Sequence, residues 1–377
     1  MTHALHITCW YPNHLIPHET PFITRHIAAL APHCDNTVWH IDTRQGKRWS
    51  YLGNGPKAHR TLLLTAPLKR WFIIEWFSTM LILWAWLTRD RSKKVDVVNF
   101  HIAYPNCTHI RLLRWVMRRP MVITEQWSIY HMSFKGASKG LNRVRRIFHA
   151  GVPVIVVSKA LENDITLFAG PPKAEFHIVD NLVEPEVFHY LPDVVPRTGV
   201  FFTIAGWRNP KRPDSLIEAM ALMRERGLNA RLRIAGIGPK LPAMHELVAR
   251  LGLVDQVDFL GQLSPEEAAA EMRNAHAMVH SSDYETFSAV CAEALCCGTP
   301  VIASAVGGVP SLVLADRGAL VPDNTPETWA RVWSAAWTDV LRMDRPRFAA
   351  AMTERVNAPR VGAHYYGILQ QVIAAKA

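Results

Sequence analysis

The stretch 278–310, MVHSSDYETFSAVCAEALCCGTPVIASAVGGVP, constrains this chain more than any other. A short apolar run ending in His280-Ser281-Ser282 reads as a strand. A polar turn with Asp283 and Glu285 comes next, and then a helix that begins near Thr286 or Ser288, carries Glu293 and stops before Gly298-Thr299-Pro300. Hydroxyl residues ahead of the helix and Gly-Thr-Pro behind it are stop signals at both ends. A second apolar run, Val301-Ile302-Ala303, leads into Gly307-Gly308. A helix N-terminus after a strand offers unpaired backbone N–H groups and a positive dipole end, which suits a phosphate. Glu285 sits just ahead of the helix and Glu293 about two turns into it, and a carboxylate is a good acceptor for paired sugar hydroxyls. A diphosphate with a sugar at each end fits those demands. A surface turn and an amphipathic helix with two solvated glutamates also fits the spacing.

The same alternation runs through the chain. Candidate strands lie at 6–9, 37–41, 62–64, 95–100, 121–124, 152–157 and 178–179, with helices at 22–30, 71–87 and 106–118. Residues 10–21 and 42–60 read as loops, the second basic and polar. Past a proline-containing linker at 189–198, strands at 200–205, 231–235 and 257–260 alternate with a helix capped by Asp214, a helix ending at 251 and a helix opened by Ser264-Pro265-Glu266-Glu267. Such alternation gives parallel sheets covered by helices on both faces, with ligands bound beyond the C-terminal strand ends. The polar residues expected there are His14, His101, Glu125, Gln126, Ser158 and Asn181 in the first half, each of which also reads as a plain loop or cap residue. In the second half the place is taken by a basic loop with Arg208, Lys211 and Arg212. A fixed cation beside a leaving diphosphate stabilises the charge it gains in the transition state. Gly236-Ile237-Gly238 lacks the third glycine and acidic partner of a dinucleotide site.

At 377 residues the chain suits two domains, and at 49 % hydrophobic and 20 % charged it is globular. Its net charge of +10 favours an anionic partner, although the basic residues form no nucleic-acid motif with interleaved aromatics. The six cysteines show no zinc spacing, and adjacent Cys296 and Cys297 on a helix make a poor disulfide, so a reducing cytoplasm is expected. No secretory leader is expected, since residues 5–9 lack a basic n-region and cleavage site. The apolar stretch 71–87 contains Glu75 and is short for a bilayer, so it reads as a buried helix. Basic segments at Lys57, Arg60, Lys69 and Arg70, and at Lys135, Lys139, Arg143, Arg145 and Arg146, stand beside apolar side chains. They suit an anionic headgroup region, and peripheral, salt-sensitive membrane attachment through the first domain is expected, with an ordinary basic surface as the alternative.

Glu285, seven residues, Glu293, then Ala-Leu-x-x-Gly-Thr-Pro-Val-Ile-Ala and Gly-Gly-x-Pro resembles the signature of retaining GT-B glycosyltransferases of glycosyltransferase family 4. The resemblance covers nearly the whole chain, strongest over 200–322 and loose before 150. It implies an α/β chain of two Rossmann-like domains facing each other across a cleft: an acceptor-side domain over 1–190 with a crossover helix at 361–377, and a donor domain over 191–360. It places Glu285 at the donor sugar, Glu293 on the donor ribose, and the backbone N–H groups of Phe287, Ser288 and Ala289 near the donor. Ser288 stands where the family has glycine. The turn at Gly236 would line the nucleotide pocket and Leu263 would meet the base. Lys211 matches the family's lysine, while Trp207 puts Arg208 one place late; both are expected as phosphate ligands, with Arg212 in reserve. In the first half, Tyr11-Pro12 with Pro21-Phe22-Ile23 resembles the N-terminal loop, with Thr20-Pro21 replacing its usual glycine. Thr124-Glu125-Gln126 resembles a Thr-Glu-His motif, and His101 stands where the family often has a catalytic histidine. His14, Glu125 and Gln126 are thus expected on the acceptor side. Val157-Ser158 and 181–188 resemble the segments closing that domain.

The resemblance implies sugar transfer from a nucleotide-diphosphate-sugar co-substrate to a glycan or lipid-linked acceptor in cell-surface glycan synthesis. The leaving phosphate would take the acceptor's proton. No Asp-x-Asp pair is present to hold a divalent ion, so neither metal nor cofactor is expected. Two rivals remain: a GT-B epimerase of nucleotide-sugars, and a non-catalytic sugar-nucleotide-binding protein.

Overall fold

Residues 1–12, 21–45, 50–54, 59–67, 71–134 and 141–375 are described by a computed structural model of the chain. Its contacts divide it into one unit of Met1–Leu182 with Ala358–Ala377 and a second of Val183–Asn357.

The first unit runs β1 (His3–Thr8), α1 (Pro21–Leu30), β2 (Asp35–Gln45), β3 (Ser50–Asn54), β4 (His59–Ala66), α2 (Trp71–Leu87), β5 (Val97–His101), α3 (Ile110–Met117), β6 (Met121–Glu125), α4 (Ile129–Met132), α5 (Asn142–Phe148), β7 (Val154–Val156), α6 (Lys159–Ala169) and β8 (Phe176–Ile178). Its sheet has the order β3-β4-β2-β1-β5-β6-β7-β8, parallel except for β3, which pairs antiparallel with β4. The described residues of the loop expected at 42–60 are therefore strand, with 46–49 and 55–58 outside the described residues. β2 continues to Gln45 because β4 pairs with it from Val38↔His59 to Gln45↔Ala66, and that ladder, rather than an apolar run, holds the polar segment extended.

The second unit runs β9 (Arg197–Ile204), α7 (Pro213–Glu225), β10 (Arg231–Ala235), α8 (Leu241–Arg250), β11 (Val257–Gly261), α9 (Pro265–Asn274), β12 (Ala275–His280), α10 (Ala289–Cys296), β13 (Val301–Ser304), β14 (Gly318–Val321), α11 (Pro326–Asp339) and α12 (Arg345–Val356). Its sheet is β11-β10-β9-β12-β13-β14, all parallel. Phe201, Leu216, Ile217, Trp329 and Trp333 are fully buried in its core, where a side chain such as Phe201 contributes about 1.5–3 kcal/mol. The capping box at the start of α9 forms, Ser264 and Glu267 each accepting from the other's backbone N–H. Asp214 is not a cap: α7 starts at Pro213, and Asp214 lies in its first turn, where the dipole favours a carboxylate.

The last helix, α13 (Ala358–Ala374), belongs to the first unit. Tyr365, Ile368, Leu369 and Val372 join Ala4, Leu30, Val97 and Val122 in one apolar cluster. Gly362 lets the helix backbone close on α1, since a Cβ there would lie 2.2 Å from the Ala29 carbonyl oxygen. The boundaries differ from those expected: 183–190 lie with the second unit. Val183 N–H donates to the Val356 carbonyl, and Arg273 donates to the Val187 and His189 carbonyls. The Tyr190 ring covers Gly298.

The span of α2 agrees with the sequence reading, but its burial does not. Ile74, Ile82, Ala85 and Trp86 are buried, whereas Phe72, Trp76, Met80, Trp84 and Leu87 are exposed. Among the described residues, no helix is long and apolar enough to cross a membrane. All six cysteines are buried free thiols.

Candidate active site in the second unit

The loop after β9 is fixed by Trp207. This residue is fully buried, and its indole N–H donates to the Ala235 carbonyl at 2.9 Å. Its backbone N–H donates to the Ile237 carbonyl, and its own carbonyl accepts from Lys240. The crossing is so close that a Cβ on Gly236 would lie 2.0 Å from the Ala205 carbonyl oxygen and one on Gly238 2.4 Å from that of Trp207. Those two glycines are thus required by backbone packing. With Trp207 turned inward, Arg208 is exposed and forms no ion pair among the described residues. Arg212 is committed elsewhere: its guanidinium grips Asp214 at 2.8 Å and Asp283 at 3.2 Å, and the hydrogen bond to Asp214 above all raises its pKa.

Lys211 meets the turn after β12. A backbone bridge joins Lys211 to Ser282, with Arg212 N–H donating to the Ser281 carbonyl and Asp283 N–H to that of Pro210. The Lys211 ammonium donates to Glu285 Oε1. His280 Nε2 lies 2.8 Å from the same oxygen and 3.4 Å from Lys211 Nζ. Burial pushes the Glu285 pKa up, but Lys211 and His280 outweigh it and hold the carboxyl at about 2. Burial, and then the Lys211 charge, keep the His280 pKa below its ordinary value against the pull of Glu285. At neutral pH the cluster is an ionised carboxylate with a neutral imidazole at its side.

The turn is clamped from the other side by Gly307 and Gly308. A Cβ on Gly307 would lie 1.7 Å from the Glu285 carbonyl oxygen, and Gly308 N–H donates to that oxygen at 2.9 Å. Asn324 supports it from below, donating to the Ser282 carbonyl at 2.8 Å and to Asp283 Oδ1 at 3.0 Å, while accepting from Ser304 Oγ and the Trp329 indole. Ser288, in the family's glycine position, has φ of +73°. Its hydroxyl turns to Cys291 Sγ and caps nothing, so the first turn of α10 has no side-chain cap. Phe287 is buried, so only its backbone faces this turn. Ala289 and Glu293 are partly exposed on α10. Leu263, partly exposed, comes after Gly261, whose carbonyl accepts from Gly236 N–H.

The first-unit candidates fare differently. His14 lies outside the described residues, as do Lys57, Lys69, Arg70, Lys135 and Lys139. His101 is not at a loop surface. It shares a strand face with Asn99, two residues earlier, and that face is covered by α13. His101 Nε2 lies 3.0 Å from His6 Nδ1 and 3.2 Å from Asn99 Nδ2, and Asn99 in turn donates to the Tyr365 hydroxyl at 2.7 Å. Burial drives the pKa of His101 well down and that of His6 to about 4. Glu125 is fully buried, and its oxygens accept from the N–H groups of Ala103, Gln126 and Trp127 and from the Tyr130 hydroxyl. It ties two loops together and leaves little to offer an acceptor. Gln126 is also buried, with Nε2 3.1 Å from His26 Nδ1. The structure thus places His101, Glu125 and Gln126, expected at the catalytic and acceptor side, in the polar interior of the first unit, with His101 Nδ1 and Gln126 Oε1 buried without a hydrogen-bond partner among the described residues. Ser158 caps α6 by accepting from Leu161 N–H, and Asn181 is buried.

His280 and Asn324 were not singled out by the sequence. His280 ends an apolar strand, and its chemistry exists only because Glu285 folds back over it five residues later. Among the described residues, no group of three or more His, Cys, Asp or Glu is arranged to hold a metal ion.

Residues 196–346 match the family model of glycosyl transferases group 1. D-inositol 3-phosphate glycosyltransferase of Jonesia denitrificans is 37 % identical over 150 residues, 37 % of this chain and 35 % of that protein. The chain spans about a third of the length of such curated relatives. Sucrose-phosphate synthase from Thermosynechococcus elongatus is similar in structure with a TM-score of 0.75 at 19 % identity, covering 100 % of both chains. HepE of Anabaena, solved in complex with UDP-glucose, gives 0.71 at 17 % identity, covering 98 % of this chain and 100 % of its own. The chain has the GT-B fold, and its residues 196–346 match the group 1 glycosyltransferases.

Proposed function

We propose that the protein transfers a hexose, with retention of configuration, from a nucleotide-diphosphate-sugar to an acceptor hydroxyl. In this reading it builds cell-surface glycan on a glycan or lipid-linked acceptor at the cytoplasmic face of a membrane, held there peripherally. The observation that carries it is the cluster of Lys211, Glu285 and His280 just ahead of the uncapped N-terminus of α10. A diphosphate at that terminus meets the N–H groups of Ser288 and Ala289, with Arg208 and Lys211 as its cations. Glu285 faces the donor sugar, Glu293 holds the ribose, and Gly236 and Leu263 border the base. The acceptor oxygen bonds to the anomeric carbon as the carbon–phosphate oxygen bond breaks, its electron pair leaving with the diphosphate. The acceptor proton passes to the departing phosphate oxygen. Cationic roles fall to Arg208 and Lys211, and none to a metal ion.

Thermal shift across nucleotide-sugars identifies the donor, because bound ligand stabilises by mass action. Glu285→Gln then tests the reading. Affinity for the nucleoside diphosphate should stay within about twofold while turnover falls, since the contact is to the sugar as its charge changes. Turnover within about twofold of wild type would remove Glu285 from the chemistry. Tight donor binding by the wild type with neither transfer nor donor hydrolysis would make this a binding protein instead.

A further inference from the structure

Helix α2 is apolar on both its inward and its outward side. Its inward side carries Glu75, Ser78 and Thr79, all fully buried, beside Ile74, Ile82, Ala85 and Trp86. Glu75 is paired with Arg143 at 2.8 Å, Ser78 donates to Asn106 Oδ1 at 2.6 Å, and Thr79 Oγ1 lies 3.0 Å from His109 Nδ1. Its outward side carries Phe72, Trp76, Met80, Trp84 and Leu87, which are 41–59 % exposed. These residues recur at four-residue and three-residue steps, so they form one continuous stripe along the helix. A monomer seldom shows water a contiguous apolar stripe of this length, and polar side chains on the inner face of the same helix mean that hydrophobicity has been placed outward.

Charge decides what the stripe fits. Residues 1–182 and 358–377 hold 25 Lys and Arg against 11 Asp and Glu, whereas 183–357 hold 17 against 21. The net charges are +14 and −4, so the chain's basic excess lies wholly in the unit that carries α2. Exposed Arg91, Lys93 and Lys94 come directly after the helix end. Two tryptophans and a phenylalanine on an apolar face, beside lysines and arginines, match the boundary between headgroups and acyl chains of an anionic bilayer.

We propose that the outward face of α2 inserts shallowly into an anionic lipid surface and docks the first unit there. The N-terminal half of α2 reaches the C-terminal edge of the sheet, where Thr43 Oγ1 donates to the Ile74 carbonyl. Ligands of open parallel sheets bind at that edge. Given the proposed transfer reaction, the stripe leads from the bilayer to the place where a lipid-linked acceptor is presented. This last step rests on that reading; the docking does not.

The test uses full-length protein and vesicles of phosphatidylcholine with or without phosphatidylglycerol, sedimented at ~0.05 M and ~0.5 M salt, between which screening shortens several-fold. Wild type should bind only the phosphatidylglycerol vesicles, and only at low salt. The triple variant Trp76→Ser, Met80→Ser, Trp84→Ser should lose at least tenfold in binding while staying folded by circular dichroism, the ring contacts that it gives up among the described residues being those of Trp76 with His109 and of Trp84 with Arg60. The pair Arg91→Glu, Lys93→Glu should weaken binding at low salt alone. Unchanged binding by the triple variant overturns the proposal, as does equal binding to neutral vesicles. A dimer in light scattering that the triple variant abolishes overturns it in favour of a second copy on this face. Donor hydrolysis without vesicles reads the proposed reaction separately: it should be unchanged in the triple variant, and its absence from wild type removes the transfer reading while leaving docking intact.

Discussion

Replacing Lys211 by methionine removes a charge and keeps most of the side chain's volume. The carboxyl of Glu285 sits at about 2 against an ordinary 4.5, and its side chain is 13 % exposed. Each pKa unit is worth ~1.4 kcal/mol, so the folded state favours the ionised form by about 3 kcal/mol. With Lys211 gone, burial is opposed only by His280, and a buried charge left without its partner costs about 3–5 kcal/mol. We therefore expect Lys211→Met to destabilise the full chain by about 3 kcal/mol at neutral pH. The sign with pH comes from the depressed carboxyl. Its contribution is complete above about pH 4.5 and is lost as the pH falls toward 2. The gap between wild type and variant should narrow by about 2 kcal/mol between neutral pH and pH ~3. Urea unfolding followed by circular dichroism at the two pH values measures it. An equal destabilisation at both would refute the ion-pair argument and assign Lys211 a packing role. In the same variant turnover should fall by roughly 10²–10³, as expected for loss of a fixed cation at a leaving diphosphate.

Three further outcomes are expected. Glu293→Ala should weaken the donor and the free nucleoside diphosphate alike by about 1–3 kcal/mol; calorimetry showing unchanged diphosphate affinity would withdraw the ribose contact. Ser288→Gly should relieve a left-handed backbone and stabilise by about 1 kcal/mol, a rise of a few degrees in thermal unfolding; a fall would mean that the bond to Cys291 matters more. Arg208→Ala should spare stability and weaken diphosphate binding. Arg212→Ala should do the reverse, costing under about 1 kcal/mol as Asp214 and Asp283 lose their partner, and the opposite pattern would show that the loop register is misread.

The second unit was legible because its signals are local. Ser264 and Glu267 announce a helix start, Gly298-Thr299-Pro300 a helix end, and Glu293 lies on one short helix with Glu285 in the turn four residues ahead of it. What escaped was decided by neighbours distant in sequence. The described residues of 42–60 are strand because β4 pairs with β2 and β3 with β4, and polar strands near a sheet edge look like loops in isolation. The spans of β5 and β6 were close to right, yet the side-chain face of His101, and the loops Glu125 binds, depend on what packs there. Stretch 71–87 was apolar enough to read as buried, but hydropathy does not say whether the apolar surroundings belong to the protein. His280 has no signal of its own beyond ending a strand five residues before a glutamate.

The return of α13 to the first unit also bears on the order of events during synthesis. The second unit is one continuous segment, whereas the first stays incomplete until residues 358–374 have been made. At ~5–20 residues per second, roughly 10–35 s separate the emergence of Leu182 from that of Ala358. Throughout that interval Asn99 and Thr124 lack the Tyr365 hydroxyl, and Leu30, Val97 and Val122 lack Ile368 and Leu369. The half of the chain begun first is the half finished last, and the newborn protein must keep an unroofed sheet from sticking to others until its final helix arrives.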